Sequence, residues 1–279
     1  MGIAVVLNLV FVAIEAGFGF TANSVALIAD AGHNLGDVLG LLCAWAALYL
    51  TRRPPGGKFT YGLGRSSVLA ALTNAVLLLV ACGAIAWEAF GRLAAPPPVA
   101  GTTVMGVAAV GIVLNGISAA LLHAGHHDDL NRRSAFLHML GDTAVSAGVL
   151  LSGGLILLTG WSWLDPVVSL AIVAVILLGT WNLLRDSVYL SLDAVPSGVN
   201  SSAVLSFLAG QRGVTDVHDL HIWALSTTSV ALTAHLVVPE RDTDEALLAT
   251  VTPGLKRRFH IDHCTLQIER DRCDHGCRA

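Results

Sequence analysis

Charge is what this sequence has least of. Only 13% of its 279 residues are Asp, Glu, Lys or Arg, about half the share usual in a water-soluble domain. That scarcity excludes a disordered chain and argues against an ordinary cytosolic enzyme. There is no basic excess either: the net charge is −4, which leaves no surface suited to nucleic acid. The first apolar stretch lacks a basic segment ahead of it and runs through Thr21-Ala22-Asn23-Ser24 directly into a second, so it does not read as a secretory signal. No His-Glu-x-x-His, the zinc-protease helix, occurs. The five cysteines do not suggest structural disulfides in an inward-facing protein. Cys43 and Cys82 fall inside apolar stretches and behave there as small apolar residues.

What the chain has is apolar length, with 54% hydrophobic residues and a mean hydropathy of +0.68. Six stretches, at 3–21, 24–50, 67–91, 101–123, 134–159 and 163–190, reach the roughly 20 residues that span a bilayer. Residues 196–279 hold half of the charged side chains in under half the length. The division is therefore an all-α six-helix transmembrane bundle over 1–195 and a soluble domain over 196–279. Arg52, Arg53, Lys58, Arg65, Arg132 and Arg133 fall in alternate loops, which places those loops, both termini and the soluble domain in the cytoplasm. After Pro196 the pattern predicts a helix at 201–210, strands at 217–225 and 229–238, a helix at 243–258 and a strand at 264–269. This is a small α+β domain of order αββαβ with its helices on one side of the sheet.

Ionisable side chains inside a bilayer are functional candidates by default. The second span carries Asp30, His33, Asn34 and Asp37; the fifth carries His138 and Asp142. His-x-x-x-Asp thus occurs twice, and a spacing of four puts both members of each pair on one helix face. With the two spans antiparallel, His33 would meet Asp142 and His138 would meet Asp37. Two imidazoles and two carboxylates, at about 2.0–2.2 Å from the ion, suit a tetrahedral Zn²⁺ with no open position. The two negative charges balance the dication, and the closed shell argues against hydrolysis. Asp30, one turn outward, either orients His33, lines an aqueous path or starts the helix. Glu15, Asn8, Asn74 and Asn115 read as interhelical hydrogen-bonding groups, Glu15 with a possible place on the ion path. At the carboxy terminus Cys273, His275 and Cys277 could clasp Zn²⁺ or form a frayed end. His123, His126 and His127 could collect zinc weakly or belong to a solvated loop.

The segment Ser24-Val-Ala-Leu-Ile-Ala-Asp-Ala-Gly-His-Asn-Leu-Gly-Asp37 resembles the second span of the cation diffusion facilitator family. Tyr61-Gly-Leu-Gly-Arg65, His138 to Asp142, Asp165 to Ser169 through Leu192 to Pro196, and His218-Asp-Leu-His-Ile-Trp223 match it in order along the whole chain. With His at position 33, the chain is most similar to the bacterial zinc-efflux branch. The resemblance implies a homodimeric inner-membrane antiporter, not an enzyme, exporting Zn²⁺ and also Cd²⁺ or Co²⁺ in exchange for protons. It assigns the transport ligands to His33, Asp37, His138 and Asp142. It implies a ferredoxin-like, metallochaperone-like cytoplasmic domain that pairs across the dimer, with regulatory zinc ligands at His218, His235 and Glu269, and His221 and His263 as alternates. The family's charge interlock would fall on Arg65 and Asp193. Two features depart from relatives: the loop at 54–64 has no Asp or His, so no loop zinc site is expected, and Ser67 stands where Glu is frequent. Rival readings are a membrane metalloenzyme and a metal sensor that binds without transport.

Overall fold

The computed structural model describes residues 2–51, 53–123, 130–240 and 244–272. Six long helices come first: α1 (Gly2–Thr21), α2 (Val25–Thr51), α3 (Ser66–Ala94), α4 (Gly101–His123), α5 (Leu130–Thr159) and α6 (Leu164–Ser191). Of these, α2 to α6 are each long and apolar enough to cross a membrane, and α1 is apolar over Asn8–Thr21. Many of their large apolar side chains, Trp45, Leu69, Trp87, Leu158 and Leu178 among them, are exposed, as a lipid-facing surface requires.

The chain divides into two compact units. The first comprises the residues up to Leu42 together with Asn74–Asn182. Small residues set its helix spacing. On α2, Gly32, Gly36 and Gly40 present a flat strip four residues apart, and a Cβ at these positions would come 3.3 Å from Ile85 Cδ1, 2.8 Å from Leu78 Cδ1 and 3.1 Å from Asn74 Nδ2 of α3. The helices α4 and α5 close on each other at Gly101 and Gly153, where a Cβ on Gly101 would meet the Gly153 carbonyl at 2.7 Å. The start of α2 is tied to α6: Ser24 Oγ accepts from Leu27 N (3.1 Å) as a helix cap, while Asp165 accepts from Ser24 Oγ (2.5 Å) and from Val25 N (2.7 Å). Asn23, with φ +54°, makes the turn into α2, and its carbonyl accepts from Arg92.

The second unit comprises Cys43–Thr73 and the residues from Leu183 onward. Its globular part runs α7 (Ser201–Ala209), β1 (Asp216–Ala224), β2 (Val230–Val237), α8 (Asp244–Phe259) and β3 (Ile261–Glu269). The sheet order is β1-β2-β3, with β2 antiparallel to β1 and parallel to β3. Leu232, Ala234 and Leu236 alternate along β2 and, with Val238 just past its end, pack with Val204, Leu208, Val251 and Leu255 of the two helices. That leaves His235 on the other face. The third strand begins at Ile261, three residues before the predicted start, because buried Ile261 anchors it while Asp262 and His263 are exposed. The β1–β2 hairpin touches the loop between α2 and α3: a Cβ on Gly64 would lie 2.7 Å from the Leu225 carbonyl, and Ser67 Oγ accepts from Thr227 N at 3.0 Å.

Arg270, just past β3, donates to both carboxylate oxygens of Asp244 at the start of α8. The guanidinium holds the Asp244 carboxyl below the usual carboxylate range. A depressed folded value contributes stability above the unfolded value of about 3.9, and that stability is lost as pH falls through the folded value. Asp244→Asn is therefore expected to lower hydrogen-exchange protection of the first turn of α8 at neutral pH. Variant and wild type should converge at strongly acidic pH; a constant difference between them would contradict the ion pair's role.

Candidate metal centre

One turn of α2 separates His33 from Asp37, and one turn of α5 separates His138 from Asp142. Their side chains meet across the helix pair. His33 Nε2 lies 3.1 Å from Asp142 Oδ1, and His138 Nε2 lies 3.2 Å from Asp37 Oδ2. Within each helix the corresponding distances are 3.9 Å for His33 and Asp37 and 3.8 Å for His138 and Asp142. Each imidazole thus faces both carboxylates. Donor atoms of His33, Asp37 and Asp142 lie within 4.8 Å of one another, and the two rings stand edge to face at 6.0 Å. The arrangement can close around one dication with modest side-chain rotation. Asp142 is buried, whereas Asp37 and His138 are more open.

The openness belongs to a cavity of about 430 Å³ whose wall includes Asp37, His138 and Asp142 with Asn8, Asn34, Asn74 and Asn115. Carboxamides from four helices therefore surround the approach to the carboxylates without adding charge to it. Asp30 does not orient His33. Its Oδ2 accepts from Ser146 Oγ at 3.0 Å, and the buried His33 Nδ1 has no hydrogen-bond partner. Glu15 accepts from Asn34 Nδ2 at 3.0 Å.

A second cluster lies on the open face of the carboxy-terminal sheet. Glu269 Oε2 is 3.3 Å from His218 Nε2, and Glu269 Oε1 is 3.0 Å from His235 Nδ1. The three donor atoms lie within 4.8 Å of one another. The ring nitrogens of His218 are buried and make no well-aligned hydrogen bond, which fits a donor set for a metal ion better than a structural ion pair. Around this cluster the sequence reading missed Asp219. The ladder shifts register between His218 and His221, where Asp219 takes φ +51°. This β-bulge puts both histidines on one face, where simple alternation would separate them. Asp219 contacts His221 at 3.0 Å and His235 at 3.5 Å, and the hydrogen bond with His221 holds its carboxyl below the ordinary value. The only signal in the sequence was an Asp, a residue tolerant of the left-handed region, inside an otherwise alternating strand.

The alternates separate. His221 sits at the rim on Asp219, whereas His263 packs edge to face on Tyr61 at 5.5 Å. Arg65 and Asp193 form an ion pair. Asp165, left without a role by the sequence, secures the start of the helix that carries His33 and Asp37. Cys273, His275 and Cys277, and the histidine-rich stretch at 124–129, lie outside the described residues.

Comparison with known proteins adds the following. Residues 1–190 match the family model described as the cation efflux transmembrane domain, and residues 196–271 match the cation efflux protein cytoplasmic domain. Zinc transporter ZitB of Escherichia coli (strain K12) is 38% identical over 95% of this chain and 85% of its own length. Metal cation efflux system protein CzcD of Cupriavidus metallidurans is 37% identical over 99% of this chain and 88% of its own. A Bacillus subtilis protein named cadmium, cobalt and zinc/H(+)-K(+) antiporter is 33% identical over 95% and 86%.

Proposed function

The chain belongs to the cation efflux family, whose members are membrane transporters rather than enzymes, and we propose that it exports Zn²⁺, with Cd²⁺ or Co²⁺ as further cargo, in exchange for protons. The observation that carries the reading is the crossed pairing of His33 with Asp142 and His138 with Asp37. Two carboxylates neutralise the dication, two imidazoles favour zinc over harder cations, and all four together complete a tetrahedral shell. The relatives' names supply the cargo and the counter-ion.

In this reading residues 1–195 form the transport domain in the inner membrane, and 196–279 form a cytoplasmic domain that pairs in a homodimer. Both termini face the cytoplasm, following the basic loops. The cavity residues Gly40, Leu41, Asn74 and Asn115 lie toward the helix ends that bear those loops, which supports an inward-open state. Zinc binds when both histidines are neutral and both aspartates ionised. Outside, protons compete for the same ligands, histidine being the group that exchanges them near neutral pH, and the empty site returns protonated. Rocking of helices around a fixed midplane site gives alternating access. Zinc on His218, His235 and Glu269 tightens the dimer and favours transport.

The test is Zn²⁺ flux in proteoliposomes with and without an imposed pH gradient. Flux accelerated by an opposing proton gradient is the expected result. Zinc binding with no flux under any gradient would replace the transporter by a metal sensor.

A further inference from the structure

The cavity approaches the metal ligands from the helix ends that bear the basic loops. On the far side of the ligands, α2 and α5 are joined by a hydrogen bond in which Ser146 Oγ donates to Asp30 Oδ2 at 3.0 Å. Asp30 comes three residues before His33, and Ser146 comes four after Asp142. On antiparallel helices these offsets place the bond about one turn beyond the His33–Asp142 contact and in line with it. Both residues are 0% exposed, and neither lines the cavity. Among the described residues it is the one side-chain hydrogen bond that joins α2 to α5 beyond the ligand pairs. Around and beyond it Ala26 and Ala29 of α2, Val104 and Ala108 of α4 and Val149 of α5 pack in the buried core. Helix α4 presses close, since a Cβ on Gly111 would come 3.1 Å from Ser146 Oγ. A cation held between α2 and α5 cannot move on in this direction until Ser146 leaves Asp30.

We propose that the Asp30–Ser146 hydrogen bond is the outer bolt of the transport path, made in the inward-open state and broken for release to the outside. The two are positioning residues that act through the spacing of α2 and α5. The proposal rests on the transport reading and on the orientation given by the basic loops. One hydrogen bond to a carboxyl group suits the task. A buried carboxyl that loses its donor must find another, and water entering between the parted helices supplies it. The bond is thus exchanged for hydration rather than simply lost, which keeps the shut and open arrangements close in free energy. Apolar packing alone offers no such exchange, because parting it only exposes apolar surface to water.

The experiment uses the full chain in lipid nanodiscs without zinc, with hydrogen exchange of α2 and α5 followed by mass spectrometry for wild type, Ser146→Ala and Asp30→Asn. Ser146→Ala takes the donor from Asp30 Oδ2 while Oδ1 has none, which favours the hydrated, parted arrangement. Exchange at 26–31 and 145–150 should rise about tenfold, as expected for one buried polar group left without its partner. Exchange at 36–41 and 136–141, on the cavity side, should stay at the wild-type level. Asp30→Asn keeps an oxygen for Ser146 Oγ and should remain close to wild type. Zinc binding by calorimetry should persist in both variants. Unchanged exchange in Ser146→Ala would overturn the proposal. A rise spread evenly over both halves of the helices would overturn it as well, making the bond a general packing contact. Equal rises in the two variants would assign the effect to charge on Asp30 instead of the bond, and loss of zinc binding would make the pair a support of the ligands; either result rejects the bolt. A wild type that carries no zinc in proteoliposomes would sink the transport reading, and the exchange pattern would still decide whether the bond holds this side shut.

Discussion

Asp142→Ala is expected to abolish gradient-driven zinc flux and to weaken zinc binding between α2 and α5 by more than about 100-fold. Removing even a residue that supports a ligand commonly costs 10- to 100-fold in affinity, and Asp142 faces both imidazoles directly, at 3.1 Å from His33 and 3.8 Å from His138. Its loss leaves a dication beside a single carboxylate in a buried setting, where an uncompensated charge is most expensive. It also removes the partner of His33 Nε2 on a ring whose Nδ1 has none. Asp37→Ala should act in the same direction but less severely, because Asp37 is more open and water can replace its oxygen. Calorimetry would read the affinity and a fluorescent zinc reporter the flux. Wild-type flux in either variant would remove the site from the transport path. Zinc at His218, His235 and Glu269 should be untouched.

The second large effect concerns the domain that carries those three residues. Leu232 is fully buried at the centre of β2, and Leu232→Ala is expected to cost about 2–5 kcal/mol, as large-to-small changes in a packed core do. A small domain commonly has only about 5–15 kcal/mol of stability in all, so the variant should be partly unfolded near physiological temperature. His235 lies three residues along the same strand, on the opposite face. Metal binding at the open face should therefore fall in step with the fold although no donor has changed. Hydrogen exchange across β1 to β3 would register the loss, while the protection of α2 and α5 should stay at its wild-type level. A protected sheet in the variant would contradict the packing argument.

Much of this architecture was legible because its causes are local. A bilayer demands long apolar runs, so α2 to α6 could be bounded to within a few residues from hydropathy alone. The pairs at 33 and 37 and at 138 and 142 announce one helix face each through the spacing of four, and opposed span directions bring the faces together. Alternation along β2 revealed the sheet. What stayed hidden depends on contacts between distant segments. Nothing near Asp165 states that it caps α2, since its partners Ser24 and Val25 are some 140 positions away. The contact of Glu15 with Asn34 follows from how α1 packs, which hydropathy does not encode. The early start of β3 was obscured because Asp262 and His263 are exposed and carry no apolar signal.

The bulge at Asp219 has a consequence for how the sheet cluster could change over time. The two parts of β1 run in opposite phase, so the side to which a residue at 216–218 points is set independently of the side chosen at 221–224. Removing Asp219 from the kink would restore plain alternation, keep both parts paired with β2 and leave His218 on the face of His221 and His235. Length at this point in the chain can therefore change by that one residue without turning a donor of the cluster, and what the extra residue adds is a carboxylate beside His221 and His235. A chain shortened there would keep His218, His235 and Glu269 facing one another, and a comparison position by position would report a gap where the cluster is intact.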